Sequence, residues 1–311
     1  MRTIKLFLTI IVLLALIACQ KDDETQVVKP FIGGTDGVVV DFSPDLRKDV
    51  YDGGGDSFNV GVKLHNKGEE LVNKDNVVVK LSGFKPSDLG KQDEEMTKKT
   101  SEDVESYRKG PKDEVIPSQP VFVEFTDLKY LSQITGSSLP FPLRADVCYK
   151  YSTKAISKLC YRQSIMNPAS GGICEINEDK AITNSGSPLQ IQNFKEFSKG
   201  SDKISFTFDI KHVGNGLVFS TESGRCELSK EKNRVYVSID TGIDGLSCPP
   251  LTTKSGTKVE GTVQLFEGSK QIQCTQTVTD KRDYEKIVNL RVDFDYSDSK
   301  TTEITVKHSA E

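Results

Sequence analysis

Phe58 to Val72 reads FNVGVKLHNKGEELV, an alternation of apolar and polar residues that ends in a turn, and the chain repeats the theme 146 residues later. There Phe206 to Val218 is FTFDIKHVGNGLV, with Phe206, Phe208 and Ile210 in the places of Val60, Val62 and Leu64, and Gly214 in that of Gly68. A period of two buries one face of an extended strand and leaves the other in water. A strand-and-turn theme stated twice restricts the chain to a β architecture built by duplication.

A second landmark gives nearly the same offset. Val147 to Tyr151, VCYKY, and Val292 to Tyr296, VDFDY, lie 145 residues apart. Each precedes a polar tetrapeptide, Ser152–Ala155 in one copy and SDSK in the other, and then a further strand, Ile156–Arg162 or Glu303–Lys307. Two hairpins are expected here. Further strands are expected at Val38–Phe42, Val77–Leu81, Val121–Phe125, Val235–Ile239, Val259–Leu265, Ile272–Cys274 and Leu290–Tyr296, separated by Gly-rich turns. Many short strands without a long helical pattern predict an all-β fold of two tandem β-sandwich domains.

A length of 311 residues accommodates two such domains. Residues 1–19 form a signal segment, 20–32 a tether, 33–162 the first sandwich, 163–173 a linker with Asn167-Pro168 and Gly171-Gly172, and 174–311 the second sandwich. Within the first, 91–119 is crowded with Lys, Glu, Asp and Ser and lacks strand rhythm. It reads as a mobile charged insertion with a helical turn or two around Glu102–Arg108, or as a partner-contact loop.

Arg2 and Lys5 precede an apolar run from Leu6 to Ala18, too short to cross a bilayer core that needs about 20 residues. Leu16-Ile17-Ala18-Cys19 resembles the lipobox of a lipoprotein. That resemblance implies a diacylated Cys19 and a membrane partner reached through a lipid anchor, on the outer face of the cell membrane. The polar stretch Gln20–Pro30 then reaches on the order of 35 Å at ~3.3 to 3.6 Å per residue.

Beyond Cys19 six cysteines remain, an even number that predicts disulfides in an oxidising compartment. The expected hairpin would set Cys148 opposite Cys160. Cys174, Cys226, Cys248 and Cys274 belong to the second copy, and their pairing is open among three connectivities. A zinc site is the alternative, without any CxxC spacing to support it.

Chemistry is sparse. GxSxG, HExxH and a phosphate-cradling glycine loop are all missing, which argues against an enzyme, and no cofactor signature is present. His65 and His212 stand near equivalent turns, His308 near the end of the chain. Asp240, Asp244, Asp293, Asp295 and Asp298 read as solvated charge before they read as paired acids or calcium ligands, and Asp52-Gly-Gly-Gly-Asp56 reads as a turn before a calcium loop. A net charge of -4 with both signs interspersed excludes a concentrated phosphate-binding face, hence nucleic acid. Trp, the best sugar-stacking side chain, does not occur.

The alternating strand, Asn-x-Gly turn and second alternating strand NVVVKLSGF resemble the CARDB-type, immunoglobulin-like domains of microbial cell-surface proteins. The layout is also similar to uncharacterised secreted archaeal proteins with FIGGT, LSGF-P-D and late Cys-Tyr stretches. The sandwich's loops and exposed strand edges, able to accept another strand, point to a structural or adhesive, non-catalytic role toward a surface protein or envelope polymer. A substrate- or calcium-binding accessory lipoprotein is the alternative.

Overall fold

The computed structural model describes residues 30–166, 171–221, 226, 231–249 and 251–309. The signal segment and most of the tether, Cys19 included, lie outside the described residues. The fold is all-β. The principal strands are β1 (Val38–Phe42), β2 (Phe58–Asn66), β3 (Val77–Ser82), β4 (Thr97–Lys99), β5 (Val121–Leu128), β6 (Ser138–Tyr161), β7 (Leu189–Ser198), β8 (Lys203–His212), β9 (Arg234–Asp240), β10 (Leu246–Ser247), β11 (Lys258–Gln264), β12 (Ser269–Thr277) and β13 (Tyr284–Lys307).

Alternation decides which residues these strands bury. Val60, Val62 and Leu64 of β2, and Phe206, Phe208 and Ile210 of β8, are all fully enclosed. At about 25 cal/mol per Å² of apolar surface, each such side chain favours folding by roughly 1.5–3 kcal/mol. β1, β2 and β5 form one small antiparallel sheet in that order, and β7, β8 and β12 repeat the order within a second. Opposite them runs a single ten-stranded sheet whose main path is β11-β9-β13-β6-β3-β4, flanked by Thr253–Ser255. The arrangement β4-β3-β6 thus recurs as β11-β9-β13.

Two of the expected hairpins do not exist. β6 and β13 are each one unbroken strand of 24 residues, and they pair antiparallel along their whole length, Ser138 with Lys307 through Tyr161 with Tyr284. Neither Ser-Thr-Lys-Ala nor Ser-Asp-Ser-Lys contains a Gly, Pro or Asn that would favour a turn, and the alternation runs through the first of them in phase. Tyr149, Tyr151, Thr153, Ala155, Ser157, Leu159 and Tyr161 are all buried on one face. The ladder sets Lys150 against Asp295, which are also equivalent at the repeat offset of 145, so a local pseudo-two-fold axis passes between them. Each long strand leaves the sheet of its own half and continues into the other: Ile304 and Val306 of β13 are buried in the first half, beside Val50.

The continuous strand also corrects the first disulfide. Cys148 and Cys160 share a face of β6 but lie twelve residues apart, roughly 40 Å in an extended chain, far beyond the ~6 Å between bonded Cα atoms. Cys148 instead bonds Cys226, Cys160 bonds Cys174, and Cys248 bonds Cys274. The first two of these link residues of β6 to segments that follow it. The expected insertion is also corrected. Met96 and Val104 are buried, β4 is the counterpart of β11, and Val72 bridges Val104 where a helical turn was expected. Its outer part is a small hairpin, Arg108–Lys109 with Val115–Ile116.

At the pseudo-axis two tyrosines hold the two turns of the repeat. The Tyr151 hydroxyl donates to Asn66 Oδ1 at 3.2 Å or to the Gly186 carbonyl at 3.2 Å, and accepts the Glu70 N–H at 3.3 Å. Tyr296, its counterpart, accepts the Gly216 N–H at 2.7 Å and lies 3.2 Å from His212 Nε2, the counterpart of Asn66. Gly68 sits where a Cβ would overlap the Tyr151 hydroxyl and approach the Gly186 and Asp36 carbonyls to 2.5 and 2.6 Å. Two backbone groups cannot yield as a flexible side chain would. Gly68→Ala should therefore lower stability by about 3 kcal/mol or more, read as a fall in the urea midpoint, while Gly55→Ala, with nothing within 4 Å, stays within about 0.5 kcal/mol of the parent. Non-reducing peptide mapping should recover the three cross-links above and no Cys148–Cys160 peptide.

Candidate functional site

A cleft of about 390 Å³ lies on the face of the ten-stranded sheet that points away from the two small sheets. Its walls include Phe31, Lys154, Ile156, Ser238, Asp240 and Arg291. Lys154 and Ile156 are alternate residues of β6, Arg291 belongs to β13 and Ser238 and Asp240 to β9, so ladder register brings them together. Phe31 arrives from the tether. The Glu69 carboxylate, next to the turn glycine, accepts the Ile32 and Gly33 N–H groups at 2.9 and 2.8 Å and the Gly186 N–H at 2.7 Å, which fixes the entering chain.

Every charge around this cleft has a partner. Lys154 meets Glu70 at 2.7 Å, and Arg291 meets Asp293 at 2.8 Å and Glu70 at 3.4 Å. The hydrogen bond from Arg291 to Asp293 raises the guanidinium further above its ordinary range. Lys258 lies 2.6 Å from Glu260, and that bond likewise raises its ammonium. The Thr257 hydroxyl and the Gly242 N–H both donate to Asp240 and hold its carboxyl below the usual range, in that order of importance. Paired cations above a partly apolar wall suit capture of an amphipathic group by ion-pair exchange. They do not supply a general base or a nucleophile.

The remaining sequence candidates do not converge. Asp293 and Asp295 share one face of β13, Asp240 lies on β9, Asp244 lies in the loop before β10, and the Asp298 carboxylate accepts the N–H of its neighbour Ser299. Asp52 is buried and accepts the Ser309 and Ile134 N–H groups and His308 Nδ1, all at 2.8–2.9 Å; these bonds, that from Ser309 largest, lower its carboxyl to about 2. Asp56 is bonded to Arg47 and to the Tyr51 N–H. The loop Asp52–Asp56 thus directs its acids to backbone and side-chain partners of the chain itself. His65 Nε2 lies 3.1 Å from the Ser118 carbonyl, and burial lowers His212. Among the described residues no three His, Cys, Asp or Glu gather as a metal site.

One acid escapes sequence reasoning. Glu196 is 1 % exposed, and both its oxygens accept the Cys160 N–H, at 3.1 and 3.0 Å, on the far end of β6. Lys180 approaches to 3.3 Å. A register shift between Gln192 and Lys195, with Asn193 at φ 53, reverses the alternation of β7, so that Phe194 and Glu196 turn inward after Leu189 and Ile191. Asn193, tolerant of the left-handed region, was the visible signal. Compared with protein-family models and with curated proteins, the chain matches none.

Burial raises Glu196 to about 7, against the lowering effect of Cys160 and Lys180. The folded state then binds a proton that the unfolded chain releases near 4.5, so stability is full below that pH and is lost as pH rises toward 7. The loss should amount to roughly 3 kcal/mol between those limits. Glu196→Gln should flatten this part of the urea-midpoint profile from pH 4.5 to 7, and an equally steep profile in the variant would refute the assignment.

Proposed function

We propose that the chain is a non-catalytic, lipid-anchored protein of the outer face of the cell membrane, with its two halves forming tandem immunoglobulin-like sandwiches. Its role is structural or adhesive, holding a partner protein or an envelope polymer. The observation that carries this reading is the cysteine economy. The six cysteines after Cys19 bond among themselves, which suits an oxidising space outside the cytoplasm and leaves Cys19 to the lipobox. Two acyl chains on Cys19 would be enough for stable anchoring.

Charge supports a protein or polymer partner over nucleic acid, since the cations around the main cleft are already neutralised. Among the described residues no helix is long and apolar enough to cross a membrane, so attachment in this reading falls to the lipid. The cleft beside Phe31 favours a second reading, capture of a small amphipathic ligand close to the tether. Binding of that kind would raise the melting temperature by mass action.

The test is performed on cells. The mature protein should have the mass of a chain that starts at Cys19, carries acyl groups and contains three disulfides, and crosslinking on intact cells should join it to a surface protein or polymer. An unacylated chain that retains residues 1–18, or crosslinks confined to the chain itself, would overturn the proposal.

A further inference from the structure

The two halves repeat strand order but differ at one sheet edge. In the second half the outer edge of β12 is covered: Leu246 and Ser247 of β10 pair with Gln276 and Thr275, the Gly245 carbonyl accepts the Thr277 N–H, and Cys248 bonds Cys274. Its counterpart in the first half is β5, where Phe125 stands opposite Val60 as Cys274 stands opposite Phe206. The same cover begins there. The Leu131 N–H donates to the Asp88 carbonyl at 3.0 Å and the Lys129 N–H to the Leu89 carbonyl at 3.2 Å.

Then it stops. Gly90, at φ 69, turns the chain away into the short 3-10 turn Asp93–Met96. The next outward residue of β5, Thr126, is the counterpart of Thr275 but among the described residues has no strand beside it, and a cleft of about 330 Å³ opens at that point. Phe125, Thr126 and Leu128 line one side, Lys91, Met96 and Lys98 the other. The Lys98 ammonium bridges the gap by donating to the Glu124 carbonyl at 2.7 Å and lies 5.2 Å over the Phe125 ring. A side chain thereby covers one backbone acceptor that in the other half faces the side of the covering strand.

We infer that this edge is a strand-acceptor site: an extended segment of a partner protein adds antiparallel to β5 along Phe122–Thr126, meeting Thr126 as β10 meets its counterpart Thr275 and running on beyond the end of that cover, with one side chain in the cleft. Main-chain hydrogen bonds would supply affinity and the cleft selectivity. A second copy of the chain is a poor occupant, because two β5 edges paired about Glu124 would set like charges directly opposite. The bulge at Asp127, φ 54, and the Lys98 cap keep the edge from pairing indiscriminately. The inference rests on the reading of the chain as a protein-holding scaffold.

The probe is a synthetic peptide of residues 241–249 with Cys248→Ala, the molecule's own covering strand, titrated into the full folded chain. Saturable binding is expected, with slowed hydrogen exchange at Phe122 and Thr126. Thr126→Pro, which removes an edge N–H at a position where proline is tolerated, should weaken it about tenfold. Lys98→Ala, which bares the Glu124 carbonyl, should strengthen it severalfold, and this variant decides the matter if the proline variant does not fold. Absence of saturable binding, or binding indifferent to both substitutions, would overturn the strand-acceptor site. If intact cells yield the same crosslinked protein with parent and Thr126→Pro, the scaffold reading stands and the edge falls. If the peptide binds at the edge but cells yield no partner, the edge stands and the scaffold reading falls.

Discussion

The antiparallel ladder between β6 and β13 is the interaction on which the rest of the structure depends. Over 24 residues it joins two halves that are far apart in sequence, and each strand spends part of its length in the core of the other half. A long register of this kind is specified by burial. A slip of one residue would expose Tyr149, Tyr151, Phe294 and Tyr296 together and bury Lys150. The tyrosines then serve a second purpose, since the hydroxyls of Tyr151 and Tyr296 hold the paired turns that open the repeat.

Around this ladder the halves have diverged in what they cover. The second closes its edge with β10 and a disulfide, whereas the first begins the same cover at Asp88 and Leu89 and abandons it at Gly90. The two ends of the ladder are also satisfied differently: the Thr305 N–H meets the Lys48 carbonyl, whereas its counterpart, the Cys160 N–H, meets the carboxylate of Glu196, at the cost of burying an acid.

Much of the fold was legible in the sequence because alternation is a local signal. Val38–Phe42, Phe58–Leu64, Val77–Leu81 and Phe206–Ile210 are strands and bury the residues their period predicts. Partner choice is a different kind of information. Whether Tyr151 is followed by a turn or by ten more strand residues depends on the strand alongside it, and β13 lies more than a hundred residues away. From that one error came the wrong disulfide, since Cys148 and Cys160 face each other only if the chain folds back. Met96 and Val104 were hidden for a related reason: a single buried residue amid charges has no periodicity, although it fills a core. The candidate cleft could not be read either, being assembled from β6, β9, β13 and the tether by register alone.

The two ends of the fold are fastened to the same half. Glu69 grips Ile32 and Gly33 where the chain enters, and Asp52 grips Ser309 where it leaves. Tension applied between Ile32 and Ser309 would therefore run through the first half, in shear along the parallel pairing of Asp49–Tyr51 with Thr305–Lys307. The second half lies to one side of that line of force, a passenger whose loops can stay in shape while its neighbour bears the pull.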